Sequence, residues 1–241
     1  MDGAAIENIR MLTERGLTFE LGKMTYSPVS LKPVYHDPRP DALTVSTLSG
    51  LRDYIKENVD GLSLDECLVI VNSFDLVSLV SRVTGESNKR HTIVQVELER
   101  VERFPFDKWM SPEEFNIRIR AQFIQTPNRD VITDFVSKID IESGASLEDD
   151  GVSQSAMIKK KLHGHLGERK EAPVVLSLKP YRTFPEIDQP ESEFLFRMRE
   201  GNGMLQIALF EADGGAWRNQ ARESIYKWLT EQLEEEVPVI A

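Results

Sequence analysis

The chain has 241 residues, 40% hydrophobic and 29% charged, with a formal net charge of −11. That supplies a sizeable core, while no apolar run approaches the roughly 20 residues that cross a bilayer. The negative field disfavours a whole-surface grip on nucleic acid, leaving only a local basic patch open, and the single Cys67 excludes an internal disulfide or a cysteine zinc cage.

The start, MDGAAIENIRMLTERG, carries Ile6, Ile9, Met11 and Leu12 at helical spacing with charges between them, which predicts a helix over 2–15 rather than a secretory signal. LTFELGKMTYSPVSLKPVYHDPRPDA mixes apolar alternation with prolines and predicts extended segments and loops. ALTVSTLSGLRDYIKENVDG reads as a strand turning into a helix, capped by Ser46 or Thr47, with Leu48, Leu51, Tyr54 and Ile55 on one face. ECLVIVNSFDLVSLVSRV gives two strands, near 67–73 and 75–83, with Cys67 as a buried small apolar residue. HTIVQVELERV sets Val94, Val96 and Leu98 against Gln95, Glu97 and Glu99, a strand with one wet face. Glu97, Glu99 and Glu102 are read as that wet side, with no catalytic role.

In FPFDKWMSPEEF, Phe104, Phe106 and Trp109 could stack on bases, but beside a helix cap they fit core staples better. Ser111, Pro112 and Glu114 form a capping-box pattern, followed by Phe115, Ile119 and Phe123 at four-residue spacing. A further helix in TPNRDVITDFVSKIDIESG would bury Val131, Ile132, Phe135 and Ile139. APVVLSLKPY, SEFLFRMRE and GMLQIALFE predict strands. Asn202-Gly203 is a strong hairpin signal, and pairing around it sets Phe196 opposite Leu209, Arg197 opposite Ala208 and Met198 opposite Ile207. Trp217, Ala221, Ile225, Trp228, Leu229 and Leu233 fall on one helical stripe. The order predicts one α+β domain, mainly antiparallel sheet with packing helices, closed by a long C-terminal amphipathic helix; a sub-division near 145–155 stays open.

No phosphate loop, dinucleotide fingerprint, nucleophile elbow or H-E-x-x-H motif occurs. No catalytic, cofactor or metal residue is therefore assigned. His163 and His165 would face one side of a strand, but His36 and His91 lie in no ligand-like cluster that could complete a metal site. Lys159, Lys160, Lys161, Arg169 and Lys170, less Glu168, make a block of +4; Asp140, Glu142, Glu148, Asp149 and Asp150 make a neighbouring block of −5. Opposed blocks fit a solvated rim or a contact between identical copies better than a phosphate footprint. Glu234, Glu235 and Glu236 crowd a helix end where the macrodipole prefers cations, so a basic surface, in cis or from another copy, would relieve them. The candidate interaction surface is thus Lys159, Lys160, Lys161, His163, His165, Arg169, Lys170, Glu234, Glu235 and Glu236.

The succession of a proline-rich extended start, LTVSTLSGLRDYI, HTIVQVELER, the junction FPFDKWMSPEEF, an acidic bend, APVVLSLKPY, a Phe-rich hairpin and a terminal helix resembles the YfdQ-like family of phage and prophage proteins, a family of unknown function. W-M-S-P-E-E-F at 109–115 is its most specific piece, and residues 145–175 match poorly. The resemblance implies phage or prophage origin and the bacterial host cytoplasm, with no catalytic residues to carry over. Residues and resemblance together suggest a non-enzymatic, homo-oligomeric accessory protein with no membrane contact, whose further partner would be a host or phage protein. A nucleic-acid factor in phage replication or recombination, or a host-defence antagonist, are the alternatives.

Overall fold

Runs rich in Val, Leu, Ile and Phe build the two larger sheets. The computed structural model describes residues 3, 19–27, 32–33, 40–83, 89–99, 102–140, 146–149, 154–158, 168–171, 173–201, 204–234 and 236–241. Apart from Gly3, the helix expected over 2–15 lies outside them, as do His36, Lys159, Lys160, Lys161, His163, His165, Asn202, Gly203 and Glu235.

Strands β1 (Phe19–Leu21), β2 (Met24–Ser27) and β3 (Lys32–Pro33) form a small antiparallel sheet within the proline-rich start. The next sheet has the order β14-β5-β6-β7-β4, from β4 (Leu43–Val45), β5 (Cys67–Val71), β6 (Leu76–Ser81), β7 (Thr92–Glu97) and β14 (Val239–Ile240). Its centre is an antiparallel meander, but β4 runs parallel to β7 and β14 parallel to β5. The sequence reading missed β14, so the expected closing helix is followed by a strand. Pairing puts Val69, Leu79 and Val94 on one face, all fully buried. The opposite face is less wet than expected, since Ser78 and Val80 are buried and Leu68, Ile70 and Gln95 half-buried.

Helix α1 (Leu48–Lys56) begins where Thr47 Oγ1 accepts from the Gly50 amide at 3.1 Å, as a threonine cap should. Leu48, Leu51, Tyr54 and Ile55 are buried as the spacing predicts. Helix α2 (Pro112–Gln122) starts on Ser111, whose Oγ accepts from the Glu114 amide at 3.1 Å. Glu114 does not complete a capping box; its carboxylate turns to Arg118 instead. In α3 (Pro127–Asp140), Ile132, Phe135 and Ile139 are buried, but Val131 is 56% exposed and Val136 takes the inward place. The stripe from Ile132 advances by three and four residues, and Val131 lies one step off it.

A third sheet, β11-β12-β13, comprises β11 (Val175–Leu178), β12 (Ser192–Gly201) and β13 (Met204–Glu211). Phe196 faces Leu209, Arg197 faces Ala208 and Met198 faces Ile207, the register expected from the hairpin signal. Phe104 and Phe106 are core staples: Phe104 meets Phe123 at 5.1 Å and Phe106 stacks on Phe194 at 5.1 Å. Helix α4 (Trp217–Leu233) buries Trp217, Ala221, Ile225, Leu229 and Leu233, with Trp228 only half-buried. The supposed acidic bend contains β8 (Ser146–Asp149), which pairs with β9 (Gln154–Ile158), and β9 pairs with β10 (Glu168–Glu171).

Two cores result. The first lies between α2, α3 and the β11–β13 sheet, and its residues run from Phe104 to Leu209. The second lies between α1, α4 and the five-stranded sheet, and it draws on both flanks of that stretch. Phe184 and Ile187, from the loop over 179–191, belong to the second core although the loop joins two strands of the first. Full burial of one such side chain contributes about 1.5–3 kcal/mol, so this loop is a clasp between the cores.

Candidate functional site

A groove opens where the two cores meet. Its deeper part has a volume of about 510 Å³, within the range of small-molecule and peptide sites. The start of α1 contributes Ser46 and Thr47, and the exit of β7 contributes Leu98 and Glu99. The end of α2 brings Ala121 and Gln122, while Tyr181, Pro185 and Asp188 come from the clasp loop. A shallower depression of about 400 Å³ runs along α2 past Glu113, Ile117 and Arg118. The two share Glu102, Ala121 and Gln122 and so adjoin.

Local chemistry fixes these walls. The Tyr181 amide donates to Gln122 O at 2.9 Å and the Ile124 amide to Lys179 O at 2.9 Å, tying the loop to the end of α2. Glu186 Oε1 accepts from the Ser49 amide at 3.0 Å, so the loop also caps α1. Thr47 and Glu186 thus satisfy amides at that helix start. Thr183 Oγ1 donates to Phe74 O at 2.6 Å, between β5 and β6. Gln189 is buried: its Oε1 accepts from the Arg182 and Thr183 amides at 2.9 and 3.1 Å, and its Nε2 donates to Thr183 O and Phe184 O at 3.2 and 3.0 Å.

Beneath the groove lies a buried charged cluster. Arg182, 4% exposed, donates to Glu211 at 2.7 Å and to Ser192, and lies 4.0 Å over the Trp217 ring. Burial lowers its guanidinium to about 10, against the opposing pull of Glu211 and Asp213. It therefore stays charged at neutral pH and cannot serve as a base. Burial alone would raise the Asp213 carboxyl, but the Ser192 hydroxyl, the Gly215 and Trp217 amides and Arg182 together hold it below its ordinary value. Ser192 Oγ donates to Asp213 Oδ2 at 2.6 Å, and Ser192 is itself 4% exposed. A serine enclosed this way, beside an arginine and no base, is a structural link.

The wall charges are unevenly matched. Arg118 bridges Glu102 at 2.7 Å and Glu114 at 2.8 Å. Arg103 pairs with Asp75 at 3.3 Å and lies over the Phe74 ring. Glu99, Glu113 and Asp188 are exposed and have no ion-pair partner among the described residues.

Of the sequence-derived candidate surface residues, Glu234 and Glu236 have described side chains, and neither lines this groove. Arg169 and Lys170 have their backbone in β10, opposite Met157 and Ala156. Glu234 ends α4 in the left-handed region at φ 48° and sits 3.8 Å from Lys56 of α1, an exposed pair worth little. Lys159, Lys160, Lys161, His163, His165 and Glu235 lie outside the described residues. Cys67 is buried and its thiol is pushed up by burial, which leaves it unreactive. Among the described residues no cluster of three or more metal-ligating side chains occurs, and no helix is long and apolar enough to cross a membrane. The groove itself was missed: Glu99 and Glu102 were read as a wet face, and Asp188 was not singled out. A usable signal was the loop over 179–191 with Pro180, Pro185 and Pro190, since long ordered connections often carry function.

Set against protein-family models, curated proteins and solved structures, the chain matches none.

Proposed function

We propose that this chain is a non-enzymatic accessory protein of phage or prophage origin that acts by binding, as an assembly of identical copies in the host cytoplasm. The observation that carries the binding role is the groove at the junction of the cores, with Glu99, Glu113 and Asp188 on its wall and without ion-pair partners among the described residues. Carboxylates with no counter-charge among the described residues, beside apolar surface, suit a cationic, partly apolar partner surface. The phage setting rests on the YfdQ-like resemblance, and self-association on the opposed charge blocks.

A nucleotide-sequestering role would draw on Arg103 and Arg182 in the groove. Both are already held, by Asp75 and Glu211, and the three unmatched carboxylates repel phosphate. The geometry therefore favours a protein partner over an anionic ligand.

Size-exclusion chromatography with light scattering, at micromolar concentration and low salt, tests the assembly. A mass above that of one 27.5 kDa chain is expected, and a monomer under those conditions would sink the reading.

A further inference from the structure

The groove lies at the junction of the cores, and the basic block lies between β9 and β10. They match in charge and character. The connection between β9 and β10, residues 159–167, reads KKKLHGHLG: three lysines, no acid, and Leu162 and Leu166 among the polar residues. It contains the only three consecutive lysines in the chain. The groove presents Glu99, Glu113 and Asp188 without ion-pair partners among the described residues, beside the apolar Leu98, Ile117 and Tyr181.

We infer that the groove receives the basic connection of a second copy of this chain, so that two copies exchange β9–β10 arms. The inference rests on the assembly reading above and names its contact. A reciprocal exchange is a closed two-fold contact: each copy gives one arm and takes one, and no free site is left to propagate a fibre. The complementarity is local and must act against a long-range repulsion, because each chain carries −11. Short-range pairs of this kind set register and weaken with salt.

Charge exchange tests this directly. The groove variant is Glu99→Lys with Asp188→Lys; the arm variant is Lys159→Glu with Lys160→Glu and Lys161→Glu. Glu99 and Asp188 are exposed and Lys159, Lys160 and Lys161 lie outside the described residues, and circular dichroism and thermal melting check folding. Wild type is expected to associate by light scattering at low salt and to weaken at least tenfold near 1 M salt. Each variant alone is expected to be monomeric. An equal mixture should associate again, because the unaltered arm of one fits the unaltered groove of the other and the two reversed surfaces fit each other. The chain carrying all five changes should also self-associate. Where a reversal prevents folding, the neutral pair Glu99→Gln and Asp188→Asn must still weaken association at least tenfold. An associated wild type that either reversal leaves unchanged, or a mixture that stays monomeric, overturns the arm exchange and leaves the assembly reading standing. A monomeric wild type overturns both.

Discussion

Asp213 holds together groups from three parts of the chain. One carboxylate oxygen accepts from the Gly215 amide at 2.9 Å; the other accepts from Ser192 at 2.6 Å and from the first amide of α4, on Trp217, at 3.4 Å. Gly214 and Gly215 have φ of 61° and 81°, a left-handed path that brings the amides round to the carboxylate. Because the folded chain holds this carboxyl below its ordinary value, the unfolded chain takes up a proton first as pH falls. The contribution of Asp213 to stability is therefore complete above the ordinary carboxylate range and is lost as pH drops through the lowered folded value. Asp213→Asn should flatten the acid side of a stability–pH profile measured by urea unfolding, with little change in slope near neutrality. The sequence hinted at none of this: Ser192, Asp213 and Arg182 lie in separate segments, and only the folded chain makes them neighbours.

Helix starts and the hairpin were the most legible elements, because their signals are local. Ser111 before Pro112 and Thr47 before Leu48 fix their caps within a few residues, and the Asn202-Gly203 signal foretells the register in which Phe194–Gly201 of β12 pair with β13. β14 was not legible. It spans two residues after Pro238, and its partner β5 is remote in sequence, so no periodicity could announce it. Its role is nonetheless specific: the Val69 amide donates to Pro238 O at 2.9 Å, and Val237 is 2% exposed in the second core. Ending the chain after Glu236 should cost about 2–4 kcal/mol by loss of that burial and pairing. Hydrogen exchange should then show lost protection at Val69 while the amides of β12 and β13 keep theirs.

The two cores are held as one molecule by the clasp over 179–191. Phe184 is fully buried in the second core, Pro180 bridges to Phe123 of the first, and Gln189 ties both ends of the turn. Gln189→Leu keeps the approximate volume but removes the partner of the Arg182 and Thr183 amides and of the Thr183 carbonyl in a buried site, while Phe184 O keeps the Ile187 amide at 3.4 Å; the cost is about 1–3 kcal/mol for each group left without a partner. Calorimetry should then resolve two unfolding transitions in place of one. A single transition lowered only in temperature would mean that the cores couple by other contacts. The α+β class was visible in the strand and helix patterns, whereas the division into two cores was not. The groove eluded the sequence for the same reason: Thr47, Glu99, Gln122 and Asp188 come from four stretches that no local signal connects.

The nesting of one core within the other bears on how the chain collapses. The first core is drawn from within the stretch Phe104 to Leu209, and the second from the residues on either side of it together with Phe184 and Ile187 of the clasp. Val239 pairs with Val69 across most of the length of the chain. If the inner unit forms first, it acts as a splint, shortening the flexible span that the outer unit must close. Closure entropy grows with the logarithm of that span, so the inner unit makes the most remote strand pairing among the described residues less improbable.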